Sequence, residues 1–336
     1  MIDNMKVTKL YVYPIKGLRG IPLQSAQLGP QGLEHDRRFM LYRIAKEGKL
    51  KKMQLSEHAE LSLFEQKLDG EQIIVRYVVP EHPLRPTEEL PESNLEVPVS
   101  PDMTSLEVIE VDLHGSPAIA YRMGQQYDSW FSACFGFACI LVYIGDGKRP
   151  VLGTTLPPKA PQSQTGGWFS KITSSVLGSS SQDEAWLTFT DVAPFMVATE
   201  ASLRNVSARM SDGSQVDMCK FRPNIVVDGE DEWSEDYWAE LTFKGEDRLL
   251  LTGNCGRCTS LNVDYDTGRP AAGEQGAVLK KLMKDRRVDK GVKYSPIFGR
   301  YGFLPPGETG FAISVGDEVA VAQRQEERST WDWPGL

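Results

Sequence analysis

The chain has 336 residues, which allows two domains, or one domain with large insertions. Hydrophobic residues make up 40% and charged residues 25%, enough apolar material for a sizeable core of a globular protein. The net charge of -9 argues against a nucleic-acid partner but leaves room for a local basic pocket.

In chain order, VTKLYVYPIKG alternates like a strand and stops at Pro14 and Gly17, where a tight turn is expected. RRFMLYRI, from Arg37, is apolar and aromatic enough for a second strand, and GEQIIVRYVV and SLEVIEVDL read the same way. PEHPLRPTEELPESNLEVP, rich in Pro and Glu, is expected to be loop. These elements predict a β-rich first domain over 5–125. QYDSWFSACFGFACILVYI fits a helix followed by a strand and opens a connecting segment over 126–185. Its later part, PPKAPQSQTGG and SSVLGSSSQDEA, has the composition of a flexible insertion. Within it, Trp168, Phe169, Ile172, Val176 and Leu177 share one face of a short helix. That face suits either packing onto the body or a peripheral membrane contact.

A second domain is expected over 186–325. TDVAPFMVATEASLRNVSARM predicts a turn, then a helix with Ala201, Leu203 and Val206 toward the core. FRPNIVVDG reads as a basic turn entering a short strand, and DEWSEDYWAELTFKG as an amphipathic segment entering another. RLLLTGNCGRCTSLNVDYDTG places strands on both sides of a cysteine loop, the second carried by the alternation of Leu261, Val263 and Tyr265. FAISVGDEVAVA predicts a closing hairpin with Gly316-Asp317 at its turn. The predicted class is α+β and β-rich, with barrel-like sheets.

The 5 cysteines form an odd, sparse set, which points to a reducing compartment and not to a disulfide framework. The N-terminal residues hold no apolar stretch long enough for a signal peptide or a membrane span, so the expectation is cytoplasmic, or peripheral at a membrane. All 4 histidines lie at or before His114, which excludes a Ser-His-Asp triad built within the second half.

Cys255-Gly256-Arg257-Cys258 has the C-x-x-C spacing used in zinc sites, dithiol redox sites and single-thiolate ligation of another soft metal. Thioredoxin-type redox needs a helix N-terminus at the first cysteine, and a strand is predicted instead. Zinc needs further ligands, for which Cys134 and Cys139 are the other candidate pair. In the third reading, Arg257 favours a thiolate at Cys258. Taken alone, the motif also fits two ordinary buried cysteines. Lys16-Gly17, Asp36-Arg37-Arg38 and Arg222-Pro223-Asn224 place basic residues at turns and strand ends. Together they suggest an anion site, since guanidinium forks and turn N–H groups bind phosphate. Asn224 adds a donor and an acceptor suited to a pterin edge.

The ordered set YPIKGLRG, GLEHDRRF, FRPNIVVDG, CGRC, DYDTG and SPIFGRYG resembles the MOSC family, the molybdenum-cofactor sulfurase C-terminal domains, over nearly the whole chain. Within it the likeness is to the mitochondrial amidoxime-reducing components. The resemblance implies an N-terminal MOSC-type β-barrel domain, then a MOSC β-barrel domain with peripheral helices. It implies a molybdenum–molybdopterin cofactor (Moco) with Cys258 as the catalytic metal ligand. Lys16, Gly17, Arg37, Asp191, Val192, Ala193, Arg222, Asn224, Cys255, Gly256, Arg257 and Tyr301 match its cofactor-binding positions. Val192 and Ala193 replace the family's polar residues after Asp191, so side-chain contacts from those two positions are not expected. The implied activity is reduction of small N-hydroxylated compounds with electrons from a cytochrome b5-type donor and its NADH-dependent reductase. The alternatives are a non-catalytic cofactor carrier or sulfurase-like module, and a zinc-stabilised binding module. Full sulfurases carry a long aminotransferase-like, pyridoxal-phosphate-binding domain, and none fits in the first 125 residues. The membrane anchor of the mitochondrial proteins is not seen in this sequence.

Overall fold

The structure is a computed structural model and describes residues 5–153, 156 and 185–334. The helical aromatic face expected at 168–177 lies outside the described residues.

The centre of the molecule is a closed barrel of seven strands. Its order is Ile225–Val227, Phe195–Thr199, Ile297–Phe303, Asp247–Gly256, Trp238–Phe243, Glu318–Arg324 and Met5–Val12, which pairs back with Ile225–Val227. Closure leaves these strands no free edge. All the pairings are antiparallel except Phe195–Thr199 with Ile225–Val227. Strand alternation fills the interior: Val7, Leu10, Val12, Val197, Ile225, Trp238, Leu241 and Leu249 share one buried cluster. The first strand of the chain therefore belongs to the barrel of the second half, with Val7 opposite Val227.

Around residues 39–143 a five-stranded sheet runs Glu107–Leu113, Ser116–Arg122, Cys139–Tyr143, Phe39–Ile44, Leu50–Lys52. A three-stranded meander, Phe64–Asp69, Gln72–Tyr77 and Leu95–Pro98, shares its core. The stretch expected to be loop thus ends in a strand, whose Leu95 and Val97 are buried. Helix Gln125–Phe135 closes with Gly136 in the left-handed region, its N–H bonded to the Ser132 carbonyl at 2.7 Å. Helix Glu200–Ala208 begins at Thr199, whose hydroxyl accepts the Ser202 N–H at 3.1 Å.

Two expectations near the C-terminus are corrected. Phe311–Ser314 and Glu318–Arg324 flank the Gly316-Asp317 turn but do not pair with each other. The first joins Ser25–Gly29 and the second joins Trp238–Phe243. Val7 explains the split: it donates to the Asp317 carbonyl and accepts the Gly316 N–H, so the turn is stitched to the first strand. The segment after Cys258 is a 3-10 turn, Thr259–Asn262, followed by only a two-residue strand, Val263–Asp264.

The last residues pack on the second half and, through Trp333, reach the N-terminal half. Arg328 pairs with Asp236 at 2.7 Å, Trp331 N–H bonds Asp289, and the Trp333 indole N–H bonds the His114 carbonyl at 2.9 Å. Among the described residues no helix is long and apolar enough to cross a membrane.

Candidate functional site

The sequence motifs converge on one cleft between the two halves. It is a partly open cavity of about 130 Å³. Lys16, Gly17, Arg37, Asp191, Ala193, Arg222, Asn224, Cys255, Gly256, Arg257, Cys258 and Tyr301 all line it. Val192 does not: its side chain is buried in the hydrophobic cluster with Leu187 and Met196.

Asp36 organises one wall. It is buried, accepts the Tyr13 backbone N–H at 2.8 Å, and takes hydrogen bonds from Arg37 (2.5 Å) and Asn224 (3.0 Å). The Tyr13 ring lies between two guanidiniums, with Arg37 at 4.2 Å and Arg222 at 4.4 Å from its centroid. Arg37 and Arg222 both sit at positive φ, 47° and 55°, so each is held in place by the fold against its backbone preference. Asn224 is fully engaged by the scaffold. Its Oδ1 accepts the Met196 N–H, and its Nδ2 donates to Tyr11 and Asp36. The donor that a pterin edge was expected to use is therefore already taken.

The cysteine loop forms another wall. Cys258 is exposed, with its sulfur 3.2 Å from the Ser260 hydroxyl. Cys255 is buried and accepts from Arg257 Nη1 at 2.9 Å, while Arg257 Nη2 donates to the Phe221 carbonyl. Arg257, expected to favour a thiolate at Cys258, thus spends its hydrogen bonds on Cys255 and Phe221. Burial pushes the Cys255 thiol up, against the pull of Arg257. The two cysteines are therefore chemically distinct, one enclosed and one offered to the cleft. Cys134 and Cys139 lie in the separate N-terminal core, so a four-sulfur zinc site is not formed. Among the described residues, no three His, Cys, Asp or Glu side chains converge as a metal site.

At a third wall, Lys16 Nζ meets Asp191 at 2.5 Å, and His114 Nε2 meets the same carboxylate at 3.2 Å. Burial lowers Lys16 to about 8, with Asp191 opposing. Burial alone would raise the Asp191 carboxyl, but Lys16 and His114 outweigh it and hold the group well below the usual carboxylate range. Lys16 supports a test. Its folded value lies below the roughly 10.4 of an unfolded lysine, so between these values the unfolded chain holds more protons and the Lys16 contribution to stability rises with pH. In urea unfolding at pH 8 and pH 10, the stability advantage of wild type over Lys16→Met should grow with pH. An advantage that shrinks or stays constant would refute the assignment.

Three cleft-lining residues carry buried polar atoms without a partner: Arg222 Nη2, Arg257 Nε and Thr190 Oγ1. Such groups are costly unless a ligand or water satisfies them. Lys16, Arg37, Arg222 and Arg257 give the cleft a cationic lining suited to a polyanion, and the exposed Cys258 thiol suits a soft metal. Sequence reading missed several members of the site. Asp36 and Ser260 adjoin motif residues and were within reach. His114 in its hairpin turn and the segment Met53–Ser56 carry no local signal.

Fold and site together define a β-barrel protein with a cation-lined cleft and one exposed thiol at the cleft wall. The MOSC N-terminal beta barrel domain matches residues 4–137 and the MOSC domain matches residues 184–320. The chain belongs to the MOSC family. It is 26% identical over 318 residues to "Mitochondrial amidoxime-reducing component 1" of Homo sapiens, covering 93% of this chain and 82% of that protein. It is 24% identical over 340 residues to "Molybdenum cofactor sulfurase" of Oryza sativa subsp. japonica, covering 95% of this chain but only 36% of that protein. Over 132 residues it is 35% identical to "Mitochondrial amidoxime reducing component 2" of Bos taurus, covering 39% of this chain and 38% of that protein.

Proposed function

We propose that this cleft holds a molybdenum–molybdopterin cofactor and that the protein reduces small N-hydroxylated compounds such as amidoximes and hydroxylamines. The observation that carries the reading is the exposed Cys258 thiol in a cleft lined by the cations Lys16, Arg37 and Arg222. The similarity to amidoxime-reducing components supports the choice of substrate class. Cys258 would supply the protein sulfur ligand. Lys16, Arg37 and Arg222 would neutralise the anionic portion of the ligand, and the buried hydroxyl of Thr190 would add a hydrogen bond.

When bound, the cofactor supplies two-electron redox chemistry at an N–O bond. The overall change is R–NHOH + 2 e⁻ + 2 H⁺ → R–NH₂ + H₂O. Two electrons would arrive singly from a cytochrome b5-type carrier and its NADH-dependent reductase. Of the chain's own groups, Lys16, lowered to about 8 by burial, lines the cleft as a proton-bearing group held by Asp191, which His114 also contacts.

The test is molybdenum and pterin content per chain, followed by turnover of benzamidoxime with a reconstituted electron chain. Loaded protein that reduces no N-hydroxylated substrate with any electron donor would favour the second reading, a cofactor carrier, to which the sulfurase similarity lends weight. Protein that takes up no pterin would sink both. Arg222→Ala should weaken cofactor retention by about 1.5–3 kcal/mol, the worth of a charged hydrogen bond. An off-rate for pterin unchanged from wild type would remove Arg222 from the site.

A further inference from the structure

The proposed electron transfer needs a place where a carrier protein docks, and one surface meets the physical requirements. Residues 280–294 carry seven cations, Lys280, Lys281, Lys284, Arg286, Arg287, Lys290 and Lys293, against two carboxylates, in a chain whose net charge is -9. Both carboxylates are consumed locally. Asp285 is held by Arg209 at 2.5 Å, and Asp289 accepts from Asn254, Gly291 and Trp331. Arg286 is buried against Asp236, and Lys281 pairs with Glu274. The other five cations are exposed. Among the described residues none of them is in an ion pair. Glu326 and Glu327 share a shallow cavity with Lys290, which makes Lys290 the edge of the basic area. Next to Lys293 in the chain stands Tyr294, 83% exposed, an aromatic side chain of the kind that anchors protein interfaces.

This surface adjoins the cysteine loop. A methyl group built on Gly256 would touch Ser295 at 3.5 Å and Val292 at 3.8 Å. The Pro296 carbonyl accepts the Arg257 N–H at 2.8 Å. Tyr294 is thus joined to Cys258 through the backbone of Ser295 and Pro296, one hydrogen bond, and Arg257. Electron transfer falls steeply with distance, and a carrier docked here would stand beside the loop that holds that sulfur.

We infer that residues 280–294 form the docking surface for an acidic, one-electron-carrying protein. The inference rests on the reductase reading for what the partner delivers, but the surface can be tested apart from it. Uncompensated exposed charge sets association rate and salt dependence more than it sets folding. Its loss should therefore act on the encounter and spare the site.

The experiment uses cofactor-loaded protein and the variant Lys284→Glu/Arg287→Glu/Lys293→Glu, with a soluble cytochrome b5 haem domain as the probe. The three residues are exposed and unpaired, so the thermal midpoint should match wild type. A variant that does not match is replaced by the neutral Lys284→Gln/Arg287→Gln/Lys293→Gln. Binding is measured by calorimetry, and benzamidoxime turnover is driven either by the haem protein or by chemically reduced methyl viologen. The expected result is a fall of about tenfold or more in haem-protein affinity and in carrier-driven kcat/KM at low salt. Viologen-driven turnover should be unchanged. Wild-type rates should fall with added salt much more than variant rates do. Equal carrier affinity in wild type and variant overturns the proposal. So does wild-type protein that binds phosphatidylserine vesicles through these residues but shows no affinity for the haem protein, since the surface would then serve a membrane. If viologen supports no turnover, the reductase reading fails, and the calorimetry alone still decides the surface.

Discussion

Cys258→Ala is expected to purify as a folded protein with molybdenum at background and no benzamidoxime turnover. The two halves of this result have separate causes. Cys258 is exposed, and its sulfur's close contact is the Ser260 hydroxyl at 3.2 Å, so truncation opens no core cavity and should change stability by only about 0.5 kcal/mol. Of the two loop cysteines it is the one offered to the cleft, so soft-metal ligation depends on it. Cys255→Ala should show the opposite partition. It is buried and accepts from Arg257 Nη1 at 2.9 Å, and Arg257 already carries an unpartnered Nε. Removing the sulfur leaves more of a buried guanidinium unsatisfied, at a cost of about 1–3 kcal/mol, while most of the molybdenum should stay. Metal content by mass spectrometry and urea midpoints separate the two. Full molybdenum in Cys258→Ala, or full loss in Cys255→Ala alone, would reverse the ligand assignment.

Most strands were legible because their periodicity is local. Met5–Val12, Phe39–Ile44, Gln72–Tyr77 and Glu107–Leu113 fall where alternation and turn residues placed them. What could not be read is which strands meet. Val7 closes the barrel against Val227, 220 positions away, and the same pairing pulls the Gly316 turn out of its expected hairpin. Alternation also misled at Leu261, which a 3-10 turn buries without a ladder, while the strand expected there shrinks to Val263–Asp264. In the site, contiguous motifs announced the basic turns, yet they did not reveal how each group is spent. Asn224 holds Tyr11, Asp36 and Met196 together, and Arg257 reaches Cys255. Both line the cleft, yet most of their hydrogen bonds go to the scaffold.

The residue least visible in the sequence carries the largest expected effect on stability. Arg149 stood in the connecting segment with no role assigned, yet its side chain is fully buried. Its guanidinium donates to five backbone carbonyls. Nη1 reaches Thr188 and Thr190 at 2.7 Å each, Nη2 reaches Leu113 at 3.0 Å and Asp191 at 3.3 Å, and Nε reaches Ser116 at 3.4 Å. Among the described residues no carboxylate forms an ion pair with it, so carbonyl dipoles balance the charge. Burial lowers its pKa to about 10, which leaves it protonated at neutral pH. One planar fork thus ties the 188–191 segment to the hairpin that carries His114, and so sets where Asp191 stands for Lys16. Arg149→Ala should lose at least about 3 kcal/mol, because it opens a cavity and strands several buried carbonyls together. Lysine cannot span five acceptors from one ammonium, so Arg149→Lys should recover only part of this. Both variants should also retain less cofactor, through the displaced Asp191. Arg149→Met fills much of the volume without donors. If it unfolds at the wild-type urea midpoint, burial alone was stabilising and the carbonyl cage is incidental. If it falls with the alanine variant, the hydrogen bonds hold the two halves in register.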